Sequence, residues 1–186
     1  KKTDGKADLR GGGTSSARLT APIVAAAAII SPIITKLNIT VNAHVSSIGR
    51  INAPTISSCP AKWESEECQQ IRCQDPKSAS AMIELVEQHR MNRDSIGSEV
   101  ELEISGMPMG IGEPWFDGVE PYLARAMMSI PAARGVEFGK GFEVIEMTGS
   151  EHNSPWGGDK ENPVMLGEKP DGALAGLSTG SNLYCK

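Results

Sequence analysis

Residues Ser15–Ile48 read SSARLTAPIVAAAAIISPIITKLNITVNAHVSSI, and the spacing of their apolar residues changes once, near Asn38. Before that point the pattern is helical. Ser15 or Ser16 can cap the first turn with a hydroxyl, Ala25–Ala28 is a run of the best helix former, and Pro22 is tolerable because it falls close to the start. Pro32 has no amide hydrogen, so a helix over Ser15–Leu37 is expected to kink or end there. Beyond Asn38, Ile39, Val41, Ala43 and Val45 alternate with Thr40, Asn42, His44 and Ser46, the period of a half-buried strand with His44 on its polar side. The apolar stretch Thr20–Thr35 is shorter than the roughly twenty residues that cross a bilayer, so it reads as a buried helix with no membrane partner.

Outward from this unit, helix and strand patterns continue to alternate. Residues 52–76 carry Pro54, Pro60, Pro76 and three cysteines without clear period and read as a surface loop. Ser78–Arg90 places Met82, Leu85, Val86 and His89 on one helical face. Glu99–Ser105 alternates Val100, Leu102 and Ile104 with Glu99, Glu101 and Glu103, and a carboxylate stripe of that kind is expected to be a solvated sheet face, too widely spaced for a shared metal shell. Gly106–Gly118 is a turn-rich loop, Val119–Ser129 a helix stopped by Pro131, and Arg134–Met147 a strand whose Gly135, Gly139 and Gly141 imply bulges, tight packing or close approach to something flat. Residues 148–170 read as a second surface loop, in which His152 takes no assigned role. The parsing gives an α+β domain of antiparallel strands packed on helices.

Composition narrows the function classes. With 186 residues, 39% of them hydrophobic, the chain can build one domain with a core. A net charge of -5 gives no basic field for nucleic acid, so an anionic ligand has to be held by local groups such as Arg10 and Arg18. Cys59, Cys68, Cys73 and Cys185 lack paired C-x-x-C spacing and only three histidines accompany them, so no metal is assigned and the thiols are expected to be free in a reducing compartment, although the first three could pair if oxidised. Lys1–Arg10 is charged and has no apolar core, unlike a signal peptide, which implies a cytoplasmic protein.

Ahead of the first helix lies GGGTSSAR, Gly11–Arg18, flanked by Arg10. Helix N-termini carry unpaired amides and positive dipole, and glycines let the backbone close around an anion, so a phosphate would bind here. The same run is also an ordinary capped turn that binds nothing. No Lys-Ser or Lys-Thr follows the glycines and Gly-x-Gly-x-x-Gly is absent, which argues against a nucleotide triphosphatase.

GGGTSSARLTA is followed in order by RDSIG at Arg93, GMPMGIGEPWFDG at Gly106, AMMSIPAARGVEFGKGF at Ala126 and GLSTG at Gly176. In order and rough spacing this set resembles the chorismate synthases, from about Gly5 to the end of the chain. The resemblance implies a βαβ sandwich with helices packed between antiparallel sheets, usually a homotetramer. It also implies a lyase of the shikimate pathway, in aromatic amino acid biosynthesis, that binds reduced FMN, with NADPH among its associated cofactors. The reaction is a 1,4-elimination of phosphate from 5-enolpyruvylshikimate 3-phosphate, giving chorismate. Carried over by position, Thr14, Ser15, Ser16, Pro131, Ala132 and Ala175 stand at flavin contacts, and Arg10, Ser16, Ala17 and Arg18 at substrate contacts. Arg18 suits the role because a guanidinium grips phosphate or carboxylate with two parallel hydrogen bonds. Thr14, Leu19, Ile23 and Arg93 stand where the family carries arginine, glutamate, arginine and glycine.

The family's two acid–base histidines lie in Gly-Glu-Ser-His-Gly and Arg-Pro-Gly-His-Ala-Asp motifs that match nothing in this sequence, so catalytic residues remain unassigned and residues 1–186 are expected to be one incomplete domain from the middle of such an enzyme. The alternative is a non-catalytic relative that keeps the scaffold and a weakened anion pocket.

Overall fold

Ser16 opens the first helical segment: its hydroxyl accepts the Arg18 amide at 3.2 Å and caps a short 3-10 turn, Ala17–Leu19, which runs into α1, Thr20–Lys36. The computed structural model describes residues 4–6, 12–13, 16–59, 65–167 and 172–186. Of the kink or end expected at Pro32, the end is ruled out, since the helix continues to Lys36 with one rung of its ladder missing. Nor is it buried: none of its residues is, and Ile29 is 78% exposed. An uncharged, apolar composition shows that a helix requires cover, whereas burial depends on a facing surface that no described residue supplies. The helical run Ala17–Lys36 has 20 residues and contains an 18-residue window with a mean hydropathy of 1.8, so the argument from length against a membrane span also falls.

Through Asn38, which takes a left-handed φ of 59, the chain reverses into β1, Thr40–Ile48, and then β2, Ile51–Asn52. Helices α2, Glu66–Ile71, and α3, Pro76–Met91, follow. Asp75 caps α3 by accepting the Ser78 amide at 2.8 Å, with Pro76 in the first turn, where its missing amide hydrogen costs nothing. Strand β3, Ser98–Ser105, pairs antiparallel with β1, and α4, Val119–Met128, and the single turn α5, Gly149–His152, come after it. Four short strands make two hairpins: β4, Trp156–Gly158, with β5, Pro163–Met165, and β6, Ala173–Leu174, with β7, Leu177–Ser178. Last comes β8, Leu183–Cys185, which completes an antiparallel sheet of order β2-β1-β3-β8.

Two apolar clusters hold this frame. At the β1–β2 end, Ile48 packs with Cys68, Cys73, Ala79 and Met82 of the α2–α3 region. At the β8 end, Ile104, Leu183 and Cys185 pack with Val119 of α4 and Ala173 of β6. Residues 52–76 are therefore not only loop: they include α2 and bury Ile56, Cys68 and Cys73. Residues 148–170 likewise include α5 and the β4–β5 hairpin. The strand expected over Arg134–Met147 reduces to a single bridge, Phe138 to Cys185, and then a 3-10 helix, Gly141–Glu146. Gly139 and Gly141 take φ values of 56 and 54, a left-handed backbone incompatible with a continuous strand.

Candidate functional site

Of the residues assigned to flavin and substrate by position, Arg10, Thr14 and Ser15 lie outside the described residues. Ser16 spends its hydroxyl on the Arg18 amide. Ala17 and Arg18 are exposed, and Arg18 makes no ion pair among the described residues, which leaves its guanidinium free for an anion. Pro131, Ala132 and Ala175 are also exposed, and the two alanines hold left-handed backbone with φ 71 and 53. No hydrogen bond or ion pair joins Ser16–Arg18 to these three positions among the described residues. Exposed backbone and a guanidinium without an ion pair are groups of the kind that FMN's ring and phosphate take, but no hydrogen bond or ion pair among the described residues brings Arg18 to Pro131, Ala132 or Ala175.

What the fold does assemble is the pair of glycine-rich segments. The 106–118 loop docks on the β6–β7 hairpin through Gly110 N–H to Ser178 O at 2.9 Å, Ser178 N–H to Ile111 O at 2.8 Å and Val119 N–H to Gly176 O at 2.9 Å. Ser178 adds its hydroxyl, donating to Pro108 O at 2.5 Å and accepting the Ile111 amide at 2.9 Å. A Cβ on Gly112 would meet Gly176 O at 2.3 Å, and one on Gly176 would meet Glu113 O at 2.4 Å, so both positions exclude any side chain. These glycines serve backbone-to-backbone packing.

The carboxylate stripe of β3, expected to face solvent, is instead covered at its centre, where Glu101 is buried between half-buried Glu99 and Glu103. His44 is 1% exposed and Glu101 5%. The two are register partners, with His44 Nε2 3.2 Å from Glu101 Oε2, and the Ile56 amide donates to the same oxygen at 2.8 Å. Burial pushes the Glu101 carboxyl up, but the hydrogen bonds from His44 and Ile56, helped by the charge of Lys186, hold it below the usual carboxylate range. Ser46 donates to Glu99 at 2.8 Å, while Asn182 and the Tyr184 hydroxyl donate to Glu103 at 2.9 and 3.0 Å. Burial, with Glu103 beside it, pushes the Tyr184 phenol up. Every acid of the stripe has a polar partner, which is why it tolerates cover. The signal was present in the sequence: His44 and Glu101 both fall on polar faces, and an antiparallel β1–β3 register sets them opposite.

Beside β8 a cavity of about 310 Å³ is lined by Glu101, Glu137, Lys140, Tyr184 and Lys186 among others, and it includes none of the positions assigned to flavin or substrate. Among the described residues no group of three or more His, Cys, Asp or Glu could hold a metal ion.

The sequence model of the chorismate synthase family matches residues 1–186. The chain belongs to the chorismate synthase family. It is 40% identical to a chorismate synthase of Cytophaga hutchinsonii over 178 residues, which cover 95% of this chain and 49% of that one. It is also 40% identical to a chorismate synthase of Methanosarcina barkeri over 182 residues, 98% of this chain and 50% of that one. A crystal structure of a chorismate synthase superposes with a TM-score of 0.77 at 24% identity over 91% of this chain and 55% of that chain, which shows the α+β fold. The chain spans about half the length of the curated relatives it matches.

Proposed function

We propose that this chain contributes the flavin and substrate surface of a chorismate synthase, for the elimination of phosphate from 5-enolpyruvylshikimate 3-phosphate. The observation that supports this most directly is the family match over all 186 residues, at about 40% identity to named chorismate synthases. Ser16, Ala17 and Arg18, with Arg10, hold the substrate in this reading, and Thr14, Ser15, Ser16, Pro131, Ala132 and Ala175 hold reduced FMN. When bound, reduced FMN would lend electron density to the breaking carbon–oxygen bond and recover it, so the reaction has no net redox change. Arg18 grips an anionic group of the substrate by charge-assisted hydrogen bonds, and the exposed backbone at Pro131, Ala132 and Ala175 gives a flat group a surface to lie on. In this reading the acid–base histidines of the family are not among these 186 residues, and the assembly is a homo-oligomer, a tetramer by family resemblance.

A second reading, a scaffold without turnover, is favoured by Leu19 and Ile23, which are exposed apolar residues at positions where the family has charge. The two separate in a fluorescence titration of FMN with and without substrate, run beside an assay for chorismate under reducing conditions. Binding of both ligands, weakened about tenfold to a hundredfold by Arg18→Ala, supports the first reading. No binding by the wild-type chain leaves only the scaffold.

A further inference from the structure

We propose that His44, Glu101 and Gln74 form a proton-operated latch, in which one proton added at His44 Nδ1 turns that nitrogen from accepting the Gln74 backbone amide to donating to the unpartnered Gln74 side-chain oxygen. The Gln74 N–H points at His44 Nδ1 at 3.5 Å, so Nδ1 is the accepting nitrogen and the ring proton sits on Nε2, facing Glu101 at 3.2 Å. The tautomer is thus set by its partners. The only ring position that can take a further proton is Nδ1, where it would meet the hydrogen of the Gln74 amide. Gln74 is 4% exposed, and its side-chain Oε1 is a buried acceptor with no partner. An orphaned acceptor on the same residue whose amide loses its bond is where the new donor goes.

Charge at the site is compensated on the other side of the ring. Glu101 accepts from Nε2 and remains the carboxylate in hydrogen-bond contact with the imidazole when the proton arrives from solvent. The nearby acids of β3 have their own partners: Glu99 is held by Ser46 and Lys186, and Glu103 by Asn182 and Tyr184. The turn ahead of α3 carries Arg72, Cys73 and Asp75, with Asp75 engaged in the α3 cap and the Cys73 thiol pushed up by burial. Cys59 lies in the segment that supplies the Ile56 amide. The latch joins three stretches of chain, because Arg72 O also accepts the Val45 amide at 2.8 Å beside it. Protonation therefore frees the Gln74 backbone amide between α2 and α3 while it tightens β1 against β3.

Nitrogen NMR of the imidazole in the 186-residue chain tests this. At mildly alkaline pH the proton is expected on Nε2 with Nδ1 bare. On acidification a protected Nδ1–H appears and the Gln74 amide exchanges faster with solvent. Gln74→Met keeps the backbone donor and removes the side-chain acceptor, so it is expected to lower the proton affinity of His44 about tenfold. A retained Nε2–H signal shows that this variant is folded. If it does not fold, the wild-type tautomer and amide exchange decide the matter. A proton on Nδ1 at alkaline pH, a Gln74 amide whose exchange ignores protonation, or an unchanged affinity in folded Gln74→Met would each overturn the latch.

Discussion

Arg93 holds φ 58 just past the end of α3, donating its amide to Arg90 O at 3.0 Å while Asp94 donates to His89 O at 2.9 Å. That bond pair is a Schellman ending, in which the left-handed residue is ordinarily glycine. Arg93→Gly is therefore expected to raise stability by about 1 kcal/mol, read as a shift in the urea midpoint, and an unchanged or lower midpoint would show that the arginine side chain offsets its backbone strain. Glu101 gives a prediction in pH. Its carboxyl sits below the usual range in the fold, so the stability it contributes is complete above the unfolded value and disappears as pH falls through the folded one. Glu101→Gln should flatten that acid limb of the stability curve, and an identical limb in both proteins would contradict the assignment. The thiols divide by burial: Cys185 is pushed up to about 11 by burial and then by Glu120, and Cys68 and Cys73 are closed off, so a thiol reagent should modify half-buried Cys59 first and the other three only on unfolding.

At the scale of elements, alternation was the most legible signal. Thr40–Ile48 and Ser98–Ser105 fall within a residue of the spans read from Ile39 and Glu99, because a period of two over eight or nine residues has no competing explanation. The covered carboxylates were missed because a face's polarity was equated with its exposure, although His44 and the Ile56 amide stand ready to bond Glu101. Arg134–Met147 failed for another reason: its left-handed glycines and a single bridge to Cys185 are tertiary facts that leave no periodic trace. Glycine content marked segments that the fold does bring together, yet Gly112 packs on the Gly176 carbonyl and Gly176 on that of Glu113, backbone against backbone. Pro32 in α1 gives a clean test of element energetics. Pro32→Ala restores a donor to the helix interior and should raise helical content by circular dichroism, with up to about 3 kcal/mol of local stabilisation. An unchanged spectrum would mean that α1 is not populated as a helix in water.

For the whole molecule, the accessible surface is 13587 Å², against about 8,600 Å² expected for a compact monomer of 19.7 kDa. The surplus is apolar in part: Ile23, Val24, Ile29, Ile33, Trp115, Phe116, Phe142 and Ile145 are each more than three-fifths exposed. Single apolar residues in water are ordinary, but a surplus of this size favours association. Light scattering should find concentration-dependent oligomers, reduced by the paired change Ile29→Lys and Ile33→Lys on one helical face, and a compact monomer at all concentrations would contradict this.

A helix with no charge between Arg18 and Lys36, presented to water, is also a handle. Chaperones and quality-control proteases recognise such uncovered stretches, so the lifetime of the chain inside a cell is set by how soon α1 is shielded, ahead of anything its chemistry can accomplish.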